Sequence, residues 1–479
     1  MPSVFCRATR AKLIRKENMD ISLIKQLAVI AGEENISTNQ ADIDLHASDE
    51  SHHPPSPAEV VVWGRSGQQI AEVLKFANAH RIPVTPWGVG TGLEGNSIPV
   101  YGGILLSLEK MTRIIEIHAD DFQVTVEPGI GHKDLNAQLA RYGLFFPPDP
   151  GANATIGGML ANNAAGIRTV KYGASKDNVL QMEVALADGR LIRVGSRSIK
   201  QASGYDLLHL FVGSEGTLGI ITQATLKLVP VPSLMSAVVA SFATVEDAVE
   251  AVVAVRGSGL DPAALEFIDA EHCRLLHEAE GVDLLPYPTL FMEFHAIHES
   301  TLTQGISMVK ELCEDLGAIR IQGTTDHSER LKLWRARHHS LEILKRAMPG
   351  YKFFVMDVAV PISQYPALIN YVEELRAQFN VPVTMIGHAG DGNVHVEFPY
   401  QNQAEFERAL ECDRLIVKRA IELGGTATGE HGVGIGKAEF MQQEHGAALD
   451  VMRAIKQTLD PNGILNPGKI FPEAIKPGT

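Results

Sequence analysis

The sequence predicts an α+β protein of two larger units, closed by a helical C-terminal segment. Three observations carry this expectation. A β-α-β opening begins after Pro57, short strands with glycine-rich turns continue to Pro232, and beyond residue 235 strand-like runs alternate with helical stretches. The expected divisions are an N-terminal helix and connector over 1–55, a first ligand-binding unit over 56–232, an α+β cap with an antiparallel sheet over 233–415, and a helical segment over 416–479 that returns to the first unit.

Residues 20–55 read as a short helix followed by a polar connector containing His and Pro. Val60-Val61-Val62-Trp63 is an unbroken apolar run, the pattern of a buried strand. Within 67–80, Ile70, Val73, Leu74 and Ala77 recur at helical spacing, and Ile82-Pro83-Val84 opens the next strand. Short strands follow at 103–108, 113–118, 123–127, 179–186 and 191–194, with a short helix at 132–142. Asp188-Gly189 between two apolar runs is a hairpin signal, because both residue types tolerate the positive φ of a tight turn. Pro230 and Pro232 end this region. In the cap, 237–243, 289–294 and 353–360 read as strands, and 244–256, 301–316 and 363–378 as helices. The tail from 403 reads as largely helical, with a closing segment rich in Pro, Gly and Asn.

Composition narrows the function. Apolar residues make up 45% of the 479 and charged residues 21%, ordinary values for a chain that buries a large core. A formal net charge of −15 argues against a nucleic-acid partner, which needs a basic face. It does not bar an anionic substrate, because a local Arg or metal overrides the average field. Cys6, Cys273, Cys313 and Cys412 are widely spaced and form no CxxC pair, which suggests neither a disulfide framework nor a Cys-rich metal site. A reduced, intracellular compartment fits. No apolar run approaches the ~20 residues needed to span a bilayer. Arg7, Arg10, Lys12, Arg15 and Lys16 precede the first acidic residue, Glu17. A mitochondrial transit peptide and a solvated basic start both have this look. The expected location is the cytoplasm, with peripheral attachment to an inner membrane, or a mitochondrion in a eukaryote, left open.

Three glycine-rich stretches suggest a ligand approached closely by backbone. In the first, Pro86, Gly88, Val89, Gly90, Thr91, Gly92 and Leu93 lead to Gly95 and Asn96, and Gly90 to Gly95 formally matches GxGxxG. A nicotinamide-binding Rossmann turn would require a helix to start there. Ser97-Ile98-Pro99 and Gly102-Gly103 follow instead, which no regular helix tolerates. The loop suits backbone N–H groups held against phosphate oxygens, with a tight structural turn as the alternative. The second stretch supplies Pro150, Gly151, Thr155, Gly157, Gly158, Ala161, Asn162, Ala164 and Gly166, small enough to let backbone flank a flat ligand. The third is a turn into a β-run, with Glu215, Gly216, Gly219 and Ile220.

The C-terminal half carries candidate chemistry. His388 and His395 bracket the loop Ala-Gly-Asp-Gly-Asn393, and Glu430 stands beside His431 in Gly-Glu-His-Gly-Val-Gly. Two histidines and one carboxylate form a metal-ligand set that leaves positions open for substrate.

In combination and order, these stretches resemble the FAD-binding domain of vanillyl-alcohol-oxidase-type flavoproteins across about 55–232, with Asn466 of Leu465-Asn466-Pro467-Gly468 returning to the flavin. The first loop has no His or Cys, so the resemblance implies non-covalent FAD. The pair GHAGDGNVH and GEHGVG is similar to the FAD-linked D-2-hydroxy-acid dehydrogenases, comprising D-lactate and D-2-hydroxyglutarate dehydrogenases and glycolate oxidase flavin subunits. That resemblance implies a divalent metal, Zn or Mn, on His388, His395 and Glu430. It implies His431 as the base on the substrate hydroxyl, Asn393 as a substrate contact, and hydride transfer to flavin N5. Arg337, three residues after Trp334, matches the family's carboxylate clamp, while Arg335 is expected on a solvated helix face. Dicarboxylate-specific relatives carry a Lys two residues before a strand Asp. Here Val355 stands two before Asp357 and Lys352 lies on the other side of the strand, which favours D-lactate or a similar monocarboxylate. A glycolate oxidase flavin subunit, a D-2-hydroxyglutarate dehydrogenase and a non-catalytic flavin-binding subunit are the alternatives. No haem or iron–sulfur motif is present, so electrons are expected to pass to an external quinone, cytochrome or electron-transfer flavoprotein. A homodimer is compatible with the sequence.

Overall fold

The computed structural model describes residues 19–472; the basic segment before Met19 lies outside them. The first unit holds two sheets. Val60–Trp63, Ile104–Ser107 and Val84–Trp87 pair in parallel, and the short strand Ile36–Ser37 adds antiparallel to Val60–Trp63. Helix Gly67–His80 makes the crossover, with Ile70, Ala71, Val73, Leu74 and Ala77 fully buried. Its Ser66 hydroxyl accepts from Gln69 N at 3.2 Å, capping the first turn. The C-terminus completes this sheet: Val84 N donates to Ile464 O at 2.8 Å, and Asn466 N donates to Val84 O at 2.8 Å.

The second sheet is antiparallel, in the order Ile114–His118, Gln123–Val126, Ile220–Lys227, Val179–Ala185, Leu191–Gly195. The Asp188-Gly189 turn joins the last two, with Gly189 at φ +84°. Residues 132–142 divide into helix His132–Leu139 and a single 3₁₀ turn.

The cap is a seven-stranded antiparallel sheet in the order Ala318–Thr324, Leu234–Phe242, Thr289–Ala296, Ala264–Ile268, Thr384–Gly387, Asn393–Tyr400, Lys352–Ala359. One face packs Phe242, Phe267, Met292, Met356 and Val396 against helices Val245–Gly257, Glu299–Asp315, Tyr365–Phe379 and Gln403–Glu422. The other face carries helices Ala270–Glu280, His327–His338 and Ser340–Ala347 and looks onto the first unit. Helix Gln403–Glu422 corrects the division drawn at 415/416. It runs through that point, and Ala409, Cys412, Ile416 and Val417 belong to one core. Among the described residues, no helix is long and apolar enough to cross a membrane.

The connector before Pro57 ties the two units together. The His52 ring meets Phe354 and Phe406 of the cap edge-on, with centroids 4.7 and 5.3 Å away. Burial pushes His52 down to about 4 and its neighbour His53 down to about 3. Both groups have folded values below their unfolded ones, so their neutral packing stabilises the fold fully above about pH 6.5. That contribution is lost as pH falls from 6.5 towards 4, about 1–3 kcal/mol for each. The melting temperature, followed from pH 7.5 to 4.5, should therefore fall more steeply in the native protein than in a His52→Phe, His53→Asn double variant.

Candidate active site

The glycine-rich stretches and the His/Glu cluster face one another across a single cleft of about 1390 Å³ between the two units. That exceeds the ~300–1,000 Å³ of an ordinary small-ligand pocket and leaves room for a dinucleotide and a small acid together. One wall is the loop 86–93, which continues into turns rather than a helix. Gly90 sits at φ +71°, where an added Cβ would lie 2.5 Å from the Trp87 ring, so the turn admits only glycine. The second wall is the stretch 150–166. Here the structure adds what the sequence pattern hid, a helix at Ile156–Asn162 whose Thr155 hydroxyl accepts from Gly158 N at 3.3 Å. Two glycines in its first turn masked its helical propensity. Gly157 is needed because an added Cβ would lie 2.6 Å from Pro128. Gly216, Gly219, Ile220 and Asn466 close the wall, so every residue assigned above to the cofactor lines the cleft.

Glu215 lines the cleft too, but its carboxylate is turned away from the open space. It accepts from Asn96 Nδ2 at 2.8 Å, Val433 N at 2.7 Å and Gly434 N at 2.9 Å. Asn466 Nδ2 donates to Glu215 O at 2.7 Å and to Asn96 O at 3.0 Å, and Asn162 Nδ2 donates to His431 O at 3.0 Å. The first unit thereby fixes the loop that carries Glu430 and His431.

The cap sheet supplies the opposite wall. His388 directly follows strand Thr384–Gly387 and His395 lies on the neighbouring strand Asn393–Tyr400, and Glu430 Oε1 is 3.5 Å from His388 Nε2 and 3.2 Å from His395 Nε2. One ligand atom from each of the three lies within 4.8 Å of the others, and Glu430 Oε2 is buried with no hydrogen-bond partner. Burial opposes charge on His388, but the Glu266 and Glu430 carboxylates outweigh it and hold its imidazole well above the ordinary range. This cluster fits a divalent cation, which would take the place of the shared proton. Behind it, Glu266 accepts from His388 Nδ1 at 2.9 Å and also from Arg337 Nη2, so one buried carboxylate orients both groups.

Arg337 is buried on helix His327–His338 while Arg335 is exposed, as their helical spacing requires. Its Nε is buried without a partner. A guanidinium lining a cleft with a free N–H matches an anion that the structure itself does not provide. His431 stacks on His395 at 5.1 Å between centroids, and burial lowers its proton affinity below the ordinary histidine value. Asp357 fixes this segment from below. It accepts from Thr428 Oγ1 at 2.8 Å, Gly429 N at 2.7 Å, Glu430 N at 2.8 Å and His431 N at 3.2 Å. Burial works against its ionisation, but the nearby His431 and His395 and these N–H groups prevail and hold it at about 2.

Asn393 donates its Nδ2 to Val358 O at 2.9 Å and to Asp357, beneath the Gly429 loop, and its buried Oδ1 has no hydrogen-bond partner. Sequence reasoning missed Glu266, Glu397 and the Arg168 bridge, in which Asp149 of the first unit and Glu293 of the cap are held at 2.7 and 3.0 Å. Val355 does line the cleft, and Lys352 is exposed.

The chain matches known proteins along most of its length. Residues 58–195 match the FAD binding domain family, and residues 231–470 match the C-terminal domain of FAD linked oxidases. The solved structure of 4-ethylphenol oxidase from Gulosibacter chungangensis superposes with a TM-score of 0.76 at 19% identity, over 95% of this chain and 98% of that one. The fold is that of the vanillyl-alcohol-oxidase-type flavoproteins. A probable mitochondrial D-lactate dehydrogenase of Danio rerio is 38% identical over 455 residues, 94% of this chain and 91% of that protein. The glycolate oxidase subunit GlcD of Bacillus subtilis is 34% identical over 456 residues, 93% of this chain and 96% of that protein. Within the flavoprotein class, the chain belongs to the FAD-linked D-2-hydroxy-acid dehydrogenase family of D-lactate dehydrogenases and glycolate oxidase flavin subunits.

Proposed function

We propose that the protein oxidises a D-2-hydroxy monocarboxylate, D-lactate in the first instance, to the 2-oxo acid. FAD is held non-covalently, and electrons leave to an external quinone, cytochrome or electron-transfer flavoprotein. The observation that carries this reading is the free Nε of buried Arg337 in the same cleft as the convergent His388, His395 and Glu430. When bound, FAD supplies a two-electron acceptor, and a divalent cation, zinc or manganese, on the two histidines and Glu430 supplies Lewis-acid polarisation of a substrate hydroxyl.

The chain's own residues do the rest. Arg337 grips the substrate carboxylate and so fixes which face of C2 is presented. His431, kept neutral by burial, accepts the hydroxyl proton. Asp357 and Glu215 hold the backbone on which His431 sits, so that its ring does not have to be ordered anew at each turnover. Val355 offers no cation for a second carboxylate, which disfavours D-2-hydroxyglutarate. The GlcD relative, matched over almost its full length, favours a glycolate oxidase flavin subunit as the second reading. Subunits that co-purify, together with turnover of glycolate rather than D-lactate, would select it.

The test is turnover of D-lactate with an artificial acceptor dye before and after dialysis against a chelator. Activity should be lost on chelation and return with Zn²⁺ or Mn²⁺. His388→Ala should bind FAD normally but carry little metal. Metal content equal to the native protein's would remove His388 from the ligand set.

A further inference from the structure

The cap face that meets the cleft carries four buried carboxylates: Glu293, Glu266, Asp357 and Glu397. Glu266 holds Arg337 and His388, and Asp357 collects a hydroxyl and three backbone N–H groups. Glu293 holds Arg168 and His295 through Oε1, while its Oε2 is buried with no hydrogen-bond partner. Glu397 differs. Its Oε2 accepts from Thr384 Oγ1 at 2.7 Å, and no hydrogen bond reaches Oε1. His272 Nδ1 is 3.5 Å from Oε2, yet neither ring nitrogen of His272 makes a hydrogen bond. Glu397 nevertheless lines the cleft.

Its position follows from the register. Asp357 pairs with His395, and two residues further along the same strands Val355 pairs with Glu397. Paired residues share a face, and two residues of antiparallel strand advance about 6.8 Å. Glu397 and Val355 therefore stand about 7 Å beyond the His395 and Asp357 level. With the substrate held as proposed above, a tail longer than the lactate methyl is the part that would reach that wall.

We propose that Glu397 is the specificity-determining residue for the substrate tail, and that it selects D-2-hydroxy monocarboxylates carrying a hydroxyl on the tail. This rests on the reading of the site given above. An apolar tail would seal the free Glu397 oxygen away from water with no partner, whereas a hydroxyl supplies one. A second carboxylate would meet another carboxyl group here, with Val355 rather than a cation as the cross-strand neighbour, although Lys345 and Arg337 also line the cleft. The wall thus disfavours apolar tails while accepting hydroxylated ones.

The test uses an isosteric pair, D-2,4-dihydroxybutyrate and D-2-hydroxypentanoate, with the metal-replete holoenzyme under anaerobic conditions. Flavin reduction is followed by stopped flow, with D-lactate as reference. The native protein should favour the dihydroxy acid by about tenfold or more in second-order reduction rate. Glu397→Leu should abolish or reverse that ratio, and Glu397→Gln should keep the same sense of preference. Because the ratio in the native protein is itself diagnostic, a variant that fails to fold does not remove the test. A native ratio near one, or a ratio unchanged in Glu397→Leu, would overturn the assignment. If D-lactate reduces the flavin and the ratio is near one, only this assignment falls. If no D-2-hydroxy acid reduces it, the proposed function falls and this assignment with it.

Discussion

Arg337→Ala is expected to lower kcat/KM for D-lactate by about 10²- to 10³-fold, a loss of about 3–4 kcal/mol of transition-state binding. The flavin should stay bound. Arg337 lies on the cap side of the cleft, whereas the glycine stretches assigned to FAD belong to the first unit. The loss has two sources. The substrate carboxylate no longer finds the guanidinium edge whose Nε is unpaired in the structure. Glu266 also loses one of its two cationic partners, which loosens the orientation of His388. Arg337→Lys separates the two, because it keeps a charge near Glu266 and loses the planar fork. It should recover part of the rate, with KM still raised. Native kinetics in either variant would refute the clamp.

The second large effect is expected at His431. His431→Gln should reduce kcat about 10²- to 10⁴-fold, the usual contribution of a positioned general base, with little change in KM. Its contacts predict that division. The backbone of residue 431 is held by Asp357 and Asn162, so the loop and Glu430 stay in place when only the ring changes. Titration of D-lactate into the variant should therefore still perturb the flavin spectrum. A variant that turns over at the native rate would move the base elsewhere, and one that loses its metal would make His431 a positioning group.

Much of this site can be read from the sequence because its parts are local. A loop built for close backbone approach concentrates glycine in a few adjacent positions, as 86–93 does, and the proposed ligand set sits in two short segments around His395 and Glu430. What could not be read depends on partners distant in the chain. Glu266 is one residue of an apolar strand, and its role exists only because Arg337 is 71 positions away and His388 122. The strands Ala264–Ile268 and Thr384–Gly387 were missed for the same reason, since each is short and buried on both faces and has no alternation to betray it. The bond from Asn393 to Asp357, 36 positions apart, is likewise invisible in the sequence.

The proposed function requires this cleft to position a D-2-hydroxy acid for oxidation by the flavin. Anaerobic mixing of the flavin- and metal-replete protein with D-lactate and, separately, L-lactate tests it most directly. Rapid bleaching of the flavin band by D-lactate, with L-lactate slower by about 10²-fold or more, is the predicted result, because Arg337 and His431 fix two points of a chiral centre. Equal rates for the two enantiomers, or no bleaching by any 2-hydroxy acid, would contradict it.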